Sequence, residues 1–325
     1  MIRSRRLVLS GLASALFFSG APAVHSQWPA KPVRFVVPFP AGGSTDVVGR
    51  IVAEHLRQGL GQTFVIDNRA GAGGTVGSDV VAKAAPDGYT MLICTSSTHA
   101  IASGLYGSKL PYDQVKDFAP VTLLGSATIL LVVHPSVAAK TVPELIALAK
   151  AKPGTLNFAS SGNGGVSHLT GEYFKSLAGI EMQHVPYKGD TPMITDLVAG
   201  RVSLAFGTAV AFLPYVQKGT LHALAVTNAK PSPVVPGLPT VAQTLPGFEA
   251  LQWFGILMPV GTPAEIVARL NAEILRILRL PEVRERFQAM GIEISGNSPE
   301  QFAAFMRAET AKWGKIVKES GAKID

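Results

Sequence analysis

The chain has 325 residues, of which 47% are hydrophobic and 16% charged, with 33 Gly and 23 Pro spread along it. This excludes a disordered polyelectrolyte, and the length points to about two structural units, because single cores rarely grow beyond roughly 250–300 residues. The 29 Lys and Arg against 22 Asp and Glu give a mild positive balance. These basic residues are scattered, not clustered among aromatics, which argues against a nucleic-acid groove.

Arg3, Arg5 and Arg6 precede the apolar run Leu7–Phe18, and small residues follow at Ala21, Ala23 and Ser26. This is the layout of a secretory signal peptide over residues 1–26, cleaved after Ala23 or Ser26. The paired arginines leave Sec and twin-arginine export both open. Removing residues 1–26 takes away three basic and no acidic residues, so the net charge falls from +7 to +4. No later stretch holds the ~18–20 apolar residues of a membrane span. A soluble periplasmic protein is expected. The single cysteine, Cys94, excludes an intrachain disulfide and reads as a small buried hydrophobe.

Val33–Pro38 reads as a strand, and a helix starts at Ser44-Thr45-Asp46 and runs towards Gly59 and Gly61. Phe64–Ile66 is a strand, Gly71–Gly77 a glycine-rich turn, Ser78–Ala85 a helix and Tyr89–Thr95 a third strand. This alternation predicts an α/β unit with a largely parallel sheet. A second such run begins near Ser126: strands at Ile129–Val133, Leu156–Ala159, Gln183–Val185, Val202–Phe206 and Leu221–Thr227 alternate with helices at Thr141–Ala151, Val166–Ala178 and Pro192–Ala199. Pro231–Pro246 reads as an irregular traverse, Trp253–Pro259 as a strand, and Pro263–Leu278 and Pro299–Lys318 as amphipathic helices packing on the first unit. The expected lobes are 27–125 with 250–325, and 126–249.

Two loops share one form: strand, then glycines and small residues, then a helix start. They are Pro40–Asp46 and Ser160–His168. Glycine lets the backbone approach a ligand closely, and the free amides of a helix's first turn favour an anion. In an open α/β sheet such loops lie at the carboxyl ends of strands, where ligands bind. One loop per lobe predicts a carboxylate gripped from both sides. Asp46 is either a helix cap or a contact to an ammonium, hydroxyl or water of the ligand.

Other chemistries fit poorly. The glycines at 71, 73, 74 and 77 miss the G-x-G-x-x-G spacing of a dinucleotide site, and Ser161 is not in G-x-S-x-G. His99, His168 and His184 show no metal-ligand spacing. No catalysis, cofactor or metal is expected.

In their order, several segments resemble the periplasmic solute-binding receptors of tripartite tricarboxylate transporters, the Bug family. They are Trp28-Pro29 with Lys31-Pro32, Pro38–Gly43 with Asp46, Asn68–Gly74, Pro86–Tyr89, Ala159–Gly164 with His168-Leu169, Val185–Gly189, Pro239-Thr240-Val241 and Gly261-Thr262-Pro263. The resemblance implies a type II periplasmic binding-protein fold, two doubly wound α/β lobes joined by a two-segment hinge, placed near Val121–Ser126 and Thr227–Ala250. It also implies a small organic carboxylate ligand held through backbone amides and bridging waters. Three positions depart from the family pattern: Gly165 for a common threonine, Asp190 for a small residue, and Gly207-Thr208 for an Asp-Asn pair.

The candidate ligand-binding residues are Ala41, Gly42, Gly43, Ser44 and Asp46 with Thr95, Ser96 and Ser97 on one lobe. On the other they are Ser160, Ser161, Gly162, Asn163, Gly164, Tyr187, Thr191 and Gly207. The expected role is capture of a small organic anion by a monomer that presents it to membrane transporter subunits. A sensor subunit serving a sensor kinase and a secreted hydrolase are the other readings, and the sequence does not separate transport from sensing.

Overall fold

The computed structural model describes residues 28–322. The expected signal peptide lies outside them. Val33–Val37 (β1) is β-branched and almost wholly buried, the pattern of a strand covered on both faces. Ser44–Leu60 (α1) buries Val48, Ile51, Val52 and Leu56 along one face. Phe64–Asn68 (β2), Thr75–Ala82 (α2) and Thr90–Thr95 (β3) follow, with β2 and β3 both parallel to β1. Ser97–Ile101 winds as a π-turn into the short helix Ala102–Tyr106 (α3), and Phe118–Ala127 (β4) ends the segment.

A second sheet begins at Ile129–Val133 (β5). Val142–Ala151 (α4), Asn157–Ser160 (β6), Val166–Ala178 (α5), Gln183–Pro186 (β7) and Asp190–Val198 (α6) come next. Leu204–Thr208 (β8), Ala209–Gln217 (α7) and His222–Val226 (β9) complete it. The chain returns through Gln252–Pro259 (β10), Ala264–Ile277 (α8), Pro281–Ala289 (α9), Ile292–Ile294 (β11) and Pro299–Ser320 (α10).

The strand orders are β11-β4-β10-β3-β1-β2 and β7-β6-β8-β5-β9. Each sheet has three parallel strands beside an antiparallel strand that has just arrived from the other sheet: β10 against β3, and β5 against β8. The sheets are therefore mixed, which corrects the expectation of largely parallel ones. The order β2-β1-β3-β10-β4 in one lobe repeats as β7-β6-β8-β5-β9 in the other.

The change of sheet on the outward path falls at Thr128, between β4 and β5. The segment Val121–Ser126, expected as the first crossing, lies inside β4. Pro120 and Gly125 disguise that strand in the sequence. It tolerates Pro120 because the pairing with β10 shifts register between Ile256 and Leu257, where the ladder is already interrupted. The sequence reading also omitted α3, α7, α9 and β11. Helix α7 carries Pro214 in its interior.

One apolar cluster under α1 and α8 fills the first lobe and another under α6 and α7 fills the second. A third runs continuously between them through Leu123, Ile129, Leu224 and Phe248 to Trp253 and Trp313. The crossing strands are thus buried. Thr128 and Thr227 stand at the two crossings, where the Thr128 hydroxyl meets Ser232 at 2.9 Å and the Thr227 hydroxyl donates to the Ala250 carbonyl at 2.6 Å.

Candidate ligand-binding cleft

In the first lobe, α1 starts on Gly43 with no side-chain cap. Its first-turn amides are left for other partners. The preceding loop is held by Asp46, only 2% exposed. One carboxylate oxygen accepts from the Gly42 amide at 2.9 Å and from Arg50 Nε at 2.8 Å, and the other accepts from Asn68 Nδ2 at 2.9 Å. Burial alone would raise the Asp46 pKa, but Arg50, Gly42 and Asn68 together hold it below the ordinary carboxylate value. Asp46 is not a side-chain cap of α1: its oxygens are engaged by the Gly42 amide before the helix, by Arg50 and by Asn68. Gly42, at φ 83°, takes a turn that a side chain would strain.

In the second lobe, α5 likewise starts on an uncapped glycine, Gly165. Here neutral groups hold the loop. The Gly164 amide donates to His168 Nδ1 at 3.2 Å, and Ser160 Oγ lies 2.6 Å from His184 Nε2. The two imidazoles stack with centroids 3.9 Å apart, against the Phe158 ring. Desolvation lowers both pKa values, to about 4 for His168 and about 3 for His184. The Ser161 amide donates to Ser167 Oγ at 3.2 Å.

A glycine helix start after a strand end recurs in both lobes, and the two rims meet. Ser97 Oγ, just after β3, accepts from the Val166 amide at the start of α5 at 3.2 Å. A Cβ placed on Gly73 would lie 3.8 Å from the Asn163 carbonyl oxygen, and one on Gly74 would lie 3.0 Å from the Phe39 ring. The glycine turn before α2 thus lies against the second-lobe rim at Gly73 and packs closely on Phe39 and Thr98 of its own lobe at Gly74.

The candidate residues divide into groups. Ala41, Gly42, Gly43 and Ser44 form the rim before α1. Thr95 and Ser96, each 0% exposed, have hydroxyls with no hydrogen-bond partner, and Ser97 reaches the other lobe. Ser161, Gly162, Asn163 and Gly164 form the opposing rim. Ser160 is 0% exposed and supports that rim from behind. Tyr187 donates its hydroxyl to Asp196 at 2.8 Å, and its ring packs among partly buried hydrophobics of the second lobe. Thr191 lies exposed in the first turn of α6. Gly207 faces the Phe212 ring, which would sit 2.6 Å from an added Cβ. Thr208, absent from the candidate set, ends β8 as Thr95 ends β3, and its hydroxyl is also buried without a partner. Topological equivalence of the two strand ends could have found it.

The loops around the rims contain only two cations, Arg69 and Lys188. Arg69 is paired with Asp67 at 2.9 Å and Lys188 is exposed. An anion placed here would meet amide and hydroxyl dipoles, not fixed positive charge. Ser160 and His184 resemble a nucleophile and its base, but Ser160 is shielded from solvent and His184 is stacked on His168, so the pair is suited to holding a loop. Among the described residues no group of three His, Cys, Asp or Glu could hold a metal ion. A concavity of about 520 Å³, lined in part by Ser103, Tyr112 and Thr310, lies outside these loops and shares no residue with them.

The model of the tripartite tricarboxylate transporter family receptor matches residues 48–322. Protein BugT of Bordetella pertussis is 37% identical over 325 residues, covering 100% of both chains. Among solved structures, Rpa4515 of R. palustris with adipate is 39% identical with a TM-score of 0.85, covering 91% of this chain and 100% of its own. MatC from Rhodopseudomonas palustris with bound malate is 34% identical with a TM-score of 0.81, covering 89% and 100%. With the same two-lobed architecture and a family match across most of its length, this chain belongs to the tripartite tricarboxylate transporter receptor family.

Proposed function

We propose that this protein is an exported periplasmic receptor that captures a small organic carboxylate between its two lobes and presents it to the membrane subunits of a tripartite transporter. The observation that carries the reading is the pair of uncapped, glycine-started helices, α1 and α5, on rims that touch through Ser97 and Val166. Each offers first-turn amides with a helix dipole behind them. The buried hydroxyls of Thr95, Ser96 and Thr208 add groups that can donate or accept. Adipate and malate in the two related structures are small organic carboxylates, and that supports this ligand class. Bridging waters would let one frame serve ligands of differing length.

Among the described residues no helix is long and apolar enough to cross a membrane. Lobe closure about Thr128 and the Thr227–Ala250 segment would bury the ligand without bond making or breaking. The receptor acts as a monomer and needs no cofactor.

A thermal-shift screen across mono-, di- and tricarboxylates, aromatic acids and acidic amino acids tests this. A true ligand at about 100 times its Kd adds ~2.7 kcal/mol to stability. Gly43→Val fits the local backbone, since a Cβ there meets nothing closer than 3.6 Å. Gly43→Val and Ser161→Ala are both expected to weaken the shift while leaving the unliganded fold intact. Undiminished affinity in both variants would refute this site.

A further inference from the structure

The loop between β7 and α6 is tied to the second-lobe rim. The Tyr187 amide donates to the Ser160 carbonyl at 2.9 Å and the Gly189 amide to the Ser161 carbonyl at 3.0 Å. Asp190 is the next residue and the first of α6. Its carboxyl stands beside the Ser161 side chain. Three other aspartates of the fold have cations: Asp46 has Arg50, Asp67 has Arg34 and Arg69, and Asp196 has Arg201. No Lys or Arg forms an ion pair with Asp190 among the described residues. Burial with no cation to oppose it pushes this carboxyl up from its ordinary pKa.

A helix dipole accounts for an acid in a first turn, but it does not favour placing that acid beside amides awaiting another carboxylate. Two like charges placed side by side repel, and the nearest cation along the loop, Lys188, is exposed and forms no ion pair with Asp190. A ligand that brings its own donor turns the repulsion into a hydrogen bond.

We propose that Asp190 sets the ligand class, selecting carboxylates that carry an ammonium or hydroxyl group over the bare acid of the same chain length. This rests on the reading of the cleft as a carboxylate site. The donor meets Asp190 while the carboxylate meets the amides before α1 and α5. An ammonium is favoured over a hydroxyl because it meets the charge as well as the lone pairs.

Isothermal titration of the purified protein with matched sets tests it: succinate, malate and aspartate; glutarate, 2-hydroxyglutarate and glutamate; adipate, 2-hydroxyadipate and 2-aminoadipate. At the preferred length, the amino or hydroxy acid is expected to bind at least about tenfold more tightly than the bare acid. In Asp190→Asn that gap closes, while the bare acid binds as well or better. Asp190→Ala gives the same loss of discrimination without a side chain at the helix start, and the melting temperature of each variant establishes folding. A gap unchanged in both folded variants overturns the proposal, as does tighter binding of the bare acid to the unaltered protein. If none of these acids binds but the broader screen yields another carboxylate, this proposal falls and the carboxylate reading stands. If no carboxylate binds at all, both fall.

Discussion

In the first lobe the loop before α1 is tied by a buried carboxylate, Asp46, bonded to Gly42, Asn68 and Arg50. In the second the loop before α5 is tied by two stacked imidazoles, one on Gly164 and one on Ser160. The sheets behind them have matching strand order and both helices start on an uncapped glycine. Similar geometry thus rests on an ionic support in one lobe and a neutral one in the other. An ionic support is strong but fails when one partner is removed, because the remaining groups are left buried and unpaired. A neutral support avoids fixed charge beside the ligand but depends on the imidazoles staying unprotonated.

The largest expected effect follows from the ionic side. Asp46→Ala leaves the Gly42 amide, the Asn68 amide group and Arg50 without their acceptor and is expected to cost about 2–4 kcal/mol. Urea denaturation measures it. Because the folded pKa of Asp46 lies below 3.8, its contribution is complete above that value and lost only as pH falls through the lower folded value. A cost near zero would mean that the first loop is held by its turn geometry alone.

A substitution in the second lobe separates packing from binding. Gly207→Ala drives a methyl against Phe212, at 2.6 Å from the ring, and is expected to cost about 1–3 kcal/mol of stability. Ligand affinity is expected to change little, because the added methyl is directed at the Phe212 ring. Isothermal titration beside a thermal melt distinguishes the outcomes. A large loss of affinity with unchanged stability would place Gly207 at the ligand.

The neutral side responds to acid. His168 and His184 have folded pKa values of about 4 and about 3, below their ordinary 6.5. A depressed histidine pKa means that the unfolded chain takes up protons first. The stabilising contribution is therefore complete above about 6.5 and declines as pH falls towards about 4 and 3. His168 is buried and only His184 is partly open to solvent, and the change is expected to be on the order of 1–2 kcal/mol. The pH dependence of the denaturation midpoint checks this, and His168→Asn, which keeps an acceptor for the Gly164 amide, is expected to flatten the profile. A profile unaltered in that variant would place the acid sensitivity elsewhere.

How much of this was legible in the sequence follows from the range of the forces involved. The β-branched run at Val33–Val37 and the helical spacing of Val48, Ile51, Val52 and Leu56 are local signals, so β1 and α1 could be read directly. The glycines before α1 and α5 were equally visible, because the turns they make are local. Strand β4 was hidden by Pro120 and Gly125, whose tolerance depends on a register shift against β10, more than a hundred residues away. The bond of Asp46 to Asn68, 22 residues on, exists only in the fold, so the sequence offered a helix cap or a ligand contact and not this support of the loop. The stack of His168 on His184 and the contact of Ser97 with Val166 likewise bring together residues whose spacing carries no pattern. For Tyr187 the sequence leaves a ring over the ligand and a ring in the core equally open, and it does not reveal Asp196 as the partner of the hydroxyl.

The smallest expected effect concerns the contact that joins the two supports. Ser97 belongs to the first lobe, and the amide it accepts from belongs to the second, so the hydrogen bond exists only while the rims are together. In Ser97→Ala the Val166 amide loses this partner when the lobes touch, but water can satisfy it when they separate. The penalty, about 0.5–1.5 kcal/mol, therefore falls on the closed form and leaves each lobe's own packing almost untouched. Small-angle scattering of the unliganded variant is expected to show a larger radius of gyration, and ligand affinity is expected to drop by about two- to tenfold. A lower melting temperature with neither change would mean that Ser97 merely fills space beneath the rim.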